Sequence, residues 1–474
     1  MATLGWVTAH LGTCFARSWL IAILVAGLAG LGVAINDGVP WLVAILVIAF
    51  LATVALSRTL DRDDRGIALG LFGWALACRL VIVLILTLVS TEYAAGGLLS
   101  PDGAGYLSGS RALDRSGFDV GSPFAFFGTY DIGQYYVFAA LLKAFGSDFT
   151  VLAVFNAAVG ALAAPFAFAW ARLTIPKHAV LVGSIAALSP SLALLATTNL
   201  LKDPLVILGT LVIALCVAQA LREEMKGWHV WLWLALGSLA LAFLHTTRFY
   251  VAAYLELGLI IVVAIRLLQG RGRRPARTRL LGLLGAILVA ELIAGSLGWP
   301  TSPILVSSQV QHVAETPAMQ PPPQRHYPIP GLAAAVSIGR RVFGPYVWVM
   351  PERLDLDYLV LSDFDLYPDT LLWYLVLPFV GIGIALTLAS LLANRSDPMT
   401  LGYLAIFVCV YLAQYLAINL SYRQREDILP LTLAFVPAGA QWVLARRPGQ
   451  FLYGGYWVAL TTAAAGHLIL RSNA

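Results

Sequence analysis

Four short polar clusters in this chain combine acids, cations and hydroxyls, and each interrupts a largely apolar sequence. The first is Ser100-Pro101-Asp102-Gly103-Ala104-Gly105-Tyr106-Leu107. Ser-Pro-Asp-Gly is a turn-forming run, and Tyr106 lies one helical turn beyond Asp102. A carboxylate held near a membrane surface and partly desolvated can act as a general base. The same carboxylate can cap a helix running from about Gly103 to Arg115, because its oxygens accept from the unsatisfied amides of the first turn. One residue can do both.

The second cluster, Thr197 to Pro204, contains Lys202 and Asp203. Pro204 suits the first turn of a helix with Asp203 at its N-cap. Lys202 beside it is a candidate phosphate contact, in a position where the loop-charge rule disfavours a lysine. The third cluster is His245-Thr246-Thr247-Arg248-Phe249-Tyr250. An arginine between two spans either snorkels to lipid headgroups or aims its guanidinium at a phosphate between helices. The fourth, Asn419 to Pro430, carries Arg423, Arg425, Glu426 and Asp427. Guanidinium groups bind phosphate bidentately, which suits a pyrophosphate or phosphodiester, although these charges can also pair with one another in solvent.

The elements that must position these clusters follow from composition. Apolar residues make up 59% of the 474 positions and charged residues only 12%, against roughly 25% charge in a soluble domain. The apolar residues come in runs of about 20, matching the thickness of a bilayer core. Lipid cannot satisfy backbone groups, so such runs read as helices, and the short alternating segments of a transmembrane barrel are absent. The fold class is therefore all-α, a polytopic integral membrane helical bundle of about thirteen spans. The expected spans are 19–36, 40–57, 67–90, 150–172, 178–196, 203–221, 229–246, 249–268, 280–298, 370–393, 399–419, 428–445 and 452–470. The first apolar run is followed at once by a second, so it reads as an uncleaved span rather than a signal peptide.

Loop charges orient the bundle. Arg266, Arg271, Arg273, Arg274, Arg277 and Arg279 crowd one short loop, which the positive-inside rule assigns to the cytoplasm. The N-terminus is then cytoplasmic, the C-terminus lies on the periplasmic or extracellular side of the cell (inner) membrane, and all four clusters share that outer face. Most acids also fall outside. Two outer loops are long, at 91–148 and 299–369. Within the first, the half-length apolar stretch Gln134 to Phe145 is expected to form an interfacial helix. Within the second, Pro317 to Pro330 reads as extended chain. Asp355-Leu356-Asp357 and Asp363-Phe364-Asp365 read as solvated acids rather than a metal site. Cys14, Cys78, Cys216 and Cys409 form no CxxC pair, so neither zinc nor a disulfide framework is expected. Walker A, Rossmann, HExxH and GxSxG patterns are missing. The basic residues form a membrane-side cluster, so the expected partners include membrane lipids and no nucleic acid.

Asp102 and Tyr106 in Ser-Pro-Asp-Gly-Ala-Gly-Tyr-Leu, the partial helix Gln134 to Phe145 with Gly146 and Asn156 beyond it, Leu201-Lys202-Asp203-Pro204, and the Arg423 to Pro430 turn together resemble the GT-C superfamily of membrane glycosyltransferases. The resemblance is to the bacterial branch that includes protein mannosyltransferases and aminoarabinose transferases, and covers roughly residues 67 to 445. It implies a sugar taken from a polyprenyl-phosphate-linked donor on the outer face and passed to a lipid, glycan or protein acceptor. Asp102 would deprotonate or position the acceptor hydroxyl. Lys202, Arg248, Arg423 and Arg425 would hold the carrier phosphate, Asp203 would line the cavity, and Tyr106 and His245 would complete the substrate-binding set.

Residues 1–66 would be two additional N-terminal helices, 67–298 the core, and 370–474 the C-terminal helices. The chain lacks the paired Asp-Glu of the mannosyltransferases and an Asp-x-Asp in the first loop. No cofactor is therefore certain, a divalent metal stays open, and the acceptor class is undefined. Two other readings use the same residues differently. A polysaccharide polymerase or ligase would use pyrophosphate-linked donors and lean on Arg340, Arg341, Arg423 and Arg425. A transporter or flippase would depend on Glu256 and Glu291, two acids inside apolar spans.

Overall fold

The computed structural model describes residues 2–36, 41–89, 101–119, 132–146, 149–198, 200–222, 228–268, 274–296, 367–393, 399–417, 425 and 427–472. Every regular element among the described residues is helical. Seven helices are long and apolar enough to cross a membrane, or eight if one bent pair counts as a single span. Large side chains such as Leu20, Leu24, Leu28, Leu288 and Leu292 are exposed on the outside of the bundle. Water would not tolerate so broad an apolar surface, whereas lipid tails match it. The chain is a multi-pass helical membrane protein.

The first three helices are α1 (Ala2–Asn36), α2 (Leu42–Ser57) and α3 (Arg62–Val89). The sequence placed the first span at 19–36, but helix extends back to Ala2 because nothing stronger than isolated glycine interrupts it. Helices α1 and α3 run parallel, with Ser18 accepting from Trp74 Nε1 at 2.8 Å and Gly32 facing Leu84. Parallel neighbours require the intervening α2 to run in the opposite direction. Contact is closest where Gly70 lies against the Phe15 backbone, leaving no room for a Cβ. Gly70→Leu is therefore expected to prise α1 from α3, at a cost of about 1–3 kcal/mol or more from overpacking. A lower unfolding temperature in detergent checks this, and an unchanged one would show that α1 is peripheral.

Two shorter helices follow, α4 (Pro101–Arg115) and α5 (Gly133–Phe145), and then α6 (Phe149–Thr174). The expected interfacial stretch is thus helical. Helix α6 is nearly enclosed, and it runs antiparallel to α3. Arg172 Nε meets Asp64 Oδ2 at 2.6 Å near one end, and Gly160 lies against Arg79 further along.

After a 3-10 turn at Pro176–His178, α7 (Ala179–Leu188) and α8 (Pro190–Thr197) are bent by 42°. Pro190 has no amide hydrogen and cannot continue the ladder, so carbonyls of the preceding turn lose their partners. Arg79 of α3 supplies replacements. Its Nη1 donates to Ala187 O at 2.9 Å, and its Nη2 reaches Ala186 O at 3.4 Å. An arginine within an apolar span is thereby put to use inside the bundle rather than facing lipid.

Next come α9 (Asp203–Leu221), α10 (Trp228–Leu268) and α11 (Arg274–Ser296). The sequence predicts two spans at 229–246 and 249–268 joined by a turn. The structure joins them through a single non-helical residue, Arg248, with φ −155° and ψ 77°. The two halves nonetheless fold back on each other. His245 Nε2 lies 2.9 Å from Glu256 Oε1 across this break. In a straight helix eleven residues rise about 16 Å, beyond the combined reach of the two side chains. Ser238 donating to Ala286 O at 2.9 Å and Leu234 against Gly282 also make 228–247 parallel to α11. The segment 249–268 must then run in the opposite direction to both.

The remaining helices are α12 (Tyr367–Leu392), α13 (Met399–Ala417), α14 (Leu429–Thr432), α15 (Val436–Ala445) and α16 (Arg447–Ser472), with a 3-10 turn at Leu433–Phe435 between α14 and α15. Helix α13 packs antiparallel to 249–268, with Gly258 against Tyr403 O and the Tyr254 and Tyr411 rings 6.5 Å apart.

Candidate functional site

The start of α9, the break in α10 and the segment before α14 meet at one end of the bundle. Asp203 is the first residue of α9. Its carboxylate does not serve as the N-cap expected from the sequence, because the cap position falls on Lys202 and Asp203 Oδ1 instead accepts from Arg248 Nη2 at 3.1 Å. Arg248 Nη1 donates to Asp427 Oδ2, and the Tyr411 hydroxyl donates to the same oxygen at 3.1 Å. Arg248 is 1% exposed and both aspartates are 0% exposed. A guanidinium presents donors in a planar fork, so one side chain can bridge two carboxylates. The Tyr250 ring lies 6.0 Å from the guanidinium carbon. Arg248 thus neither snorkels to headgroups nor stands free for a ligand. It ties three chain segments together.

The break at Arg248 is also where α5 arrives. Gly133 packs against Thr246 and Thr247, in a space that no larger residue would fit. Next to it, Gln134 Nε2 and Asn156 Nδ2 both donate to Leu201 O, at 3.3 and 3.0 Å. That carbonyl precedes α9 and lies outside any helical ladder, so two buried amides satisfy it. Tyr106 of α4 packs on Leu195 and Leu201 and sets its ring 5.2 Å from that of Tyr135. Helix α4 therefore lies across the turn that carries half-buried Lys202.

A second polar group adjoins the first. Arg425 Nη2 donates to Thr370 Oγ1 at 2.8 Å, and its guanidinium carbon lies 5.4 Å from the centroid of the Trp373 ring. Ser189, at the α7–α8 bend, donates to Asp369 at the start of α12. A third group sits inside the α10 hairpin. His245 Nε2 faces Glu256 Oε1 at 2.9 Å and Glu291 Oε1 at 3.6 Å.

Of the residues singled out by sequence, Tyr106, Lys202, Asp203 and Arg248 gather at this end of the bundle. His245 lies one helical turn inside it, and Arg425 stands beside it with Asp427. Asp102 is the second residue of α4, one turn before Tyr106, although its side chain lies outside the described residues. Arg423 is outside them entirely, as are Ser100, Arg340, Arg341, the Pro-rich stretch and the paired aspartates 355/357 and 363/365.

Sequence reasoning passed over Asp427 as the partner of Arg248, and Gln134 as a ligand of Leu201 O. One signal was available. An arginine between two spans needs a counter-charge at the same depth, and Asp427 is the acid nearest a span boundary in the fourth cluster. Nothing in the sequence marks Tyr411, which is one of several tyrosines in apolar runs.

A scan against family models finds no matching family, and neither a curated protein nor a solved structure matches the chain.

Proposed function

We propose that this protein is a membrane glycosyltransferase that moves a sugar from a polyprenyl-phosphate-linked donor to a lipid, glycan or protein acceptor. The observation that carries the reading is convergence. Four clusters far apart in sequence supply Tyr106, Lys202, Asp203, Arg248 and Arg425 to one end of a lipid-exposed bundle. In this reading that end lies at the depth of a lipid phosphate headgroup, and the GT-C resemblance assigns these same clusters to donor and acceptor handling.

In this reading the acceptor hydroxyl gives its proton to Asp102 as its oxygen attacks the anomeric carbon. The bond from that carbon to the phosphate oxygen breaks, and the phosphate departs with the electron pair. Lys202, half-buried at the N-cap of α9, meets the leaving charge. Arg248 acts at one remove, as a positioning residue that holds Asp203 and Asp427 in place.

The thirteen-span count and the orientation belong to the same proposal. This reading counts α7 with α8 as one span and each half of α10 as another, and adds the shorter apolar helices and α16. The Arg-rich segment 266–279 then faces the cytoplasm, as does the N-terminus, and the site faces outward.

The test uses full-length protein in detergent, supplied with membrane acceptors and a labelled donor. A monosaccharide on a polyprenyl monophosphate is expected to be consumed, with release of the polyprenyl phosphate. Consumption of a pyrophosphate-linked oligosaccharide instead would favour the polymerase or ligase reading. No consumption of either, together with ion flux that depends on Glu256, would favour the transporter reading.

A further inference from the structure

We infer that His245, Glu256 and Glu291 form a binding site for a divalent transition-metal ion. The three residues come from three different segments: the ascending half of α10, its descending half, and α11. Their ligand atoms all lie within 4.8 Å of one another, with His245 Nε2 at 2.9 Å from Glu256 and 3.6 Å from Glu291. Ligands about 2.0–2.2 Å from one metal ion are separated by roughly 3.0–3.5 Å in octahedral or tetrahedral geometry. For one ion to hold all three ligands, the glutamate side chains rotate to close the widest gap.

The donor set narrows the ion. One imidazole with two carboxylates suits Zn²⁺ or Mn²⁺, whereas Ca²⁺ and Mg²⁺ prefer oxygen ligands alone. Charge points the same way. His245 is 5% and Glu256 6% exposed, so two carboxylates converge on one imidazole in a space of low dielectric. A neutral histidine, two carboxylates and a dication sum to zero, with every group in the form it uses as a ligand.

The Glu291 side chain keeps 25% of its exposure, and it lies five residues, or about 8 Å, from the end of α11. Three protein ligands leave a fourth position open to water. The ion would also fasten the base of the α10 hairpin three residues from Arg248, and so hold the break that presents Arg248 to Asp203 and Asp427. This site does not depend on the glycosyltransferase reading, and its test uses no activity.

Full-length protein in detergent is stripped with chelator, incubated with Zn²⁺ alone and desalted. About one retained Zn²⁺ per chain is expected by elemental analysis, with a raised unfolding temperature. The near-isosteric double variant Glu256→Gln, Glu291→Gln should lose both effects. Wild-type protein loaded with Mn²⁺ provides a second readout that needs no variant. Its electron paramagnetic resonance should show coupling to one imidazole nitrogen. No retained Zn²⁺ in the wild type, equal retention in the double variant, or Mn²⁺ without nitrogen coupling would each overturn the site.

Discussion

Arg248→Met is expected to be the most destabilising single substitution at the candidate site, lowering folding stability by about 3–5 kcal/mol. The methionine fills a similar volume, so the loss is one of charge rather than of packing. In the wild type the guanidinium bridges Asp203 and Asp427 at 0–1% exposure. Without it, two carboxylates face each other with no cation between them. Removing one partner of a buried ion pair leaves an uncompensated charge, and here it leaves two. Typical domains are stable by about 5–15 kcal/mol, so the change takes a large share of the total.

Thermal unfolding in detergent measures the effect, and a wild-type transition in Arg248→Met would refute the bridging role. Two controls sharpen the result. Adding Asp203→Asn and Asp427→Asn to Arg248→Met should recover most of the loss, because no charge is then stranded. Arg248→Lys should fall between, since an ammonium is a point charge and cannot present a planar fork to two carboxylates.

Asp102→Asn carries the largest expected effect on activity, a loss of about 10²- to 10⁴-fold if the carboxylate is the general base. The variant also separates the two readings of this residue. Asp102 is the second residue of α4 and not its N-cap, and asparagine there gives up only about 0.3–1 kcal/mol of charge–dipole interaction, so a purely structural Asp102 would leave transfer unchanged. Asparagine cannot accept the acceptor's proton, so a catalytic Asp102 would not. Labelled-sugar transfer, measured on protein whose unfolding temperature matches the wild type, decides between them. Retained transfer would remove Asp102 from the mechanism and move attention to Lys202 and its surroundings.

Much of the architecture is legible in residue order because lipid imposes one strong rule. A backbone in hydrocarbon must bond to itself, so each long apolar run becomes a helix. That rule places α3, α6, α9 and α12 close to their expected positions, and it puts turns where the apolar runs are interrupted. Termini are less legible. Helix α1 begins at Ala2 and not near residue 19, because a polar start to a helix carries no stop signal.

The site divides along the same line. Residue types at the ends of spans marked Lys202, Asp203, Arg248 and Arg425, since charges are costly in lipid and stand out against apolar runs. Pairing is another matter. Asp427 is 179 residues from Arg248, and Glu291 comes from a different helix than His245 and Glu256. Which acid meets which cation depends on how helices pack side by side, and side-by-side packing leaves little trace in a single apolar run. Residue order alone shows a helical membrane protein with polar clusters where its apolar runs end. Helix packing is what puts Arg248 between two aspartates and sets His245 against two glutamates. Hydropathy is set residue by residue, whereas an ion pair exists only once distant helices have met.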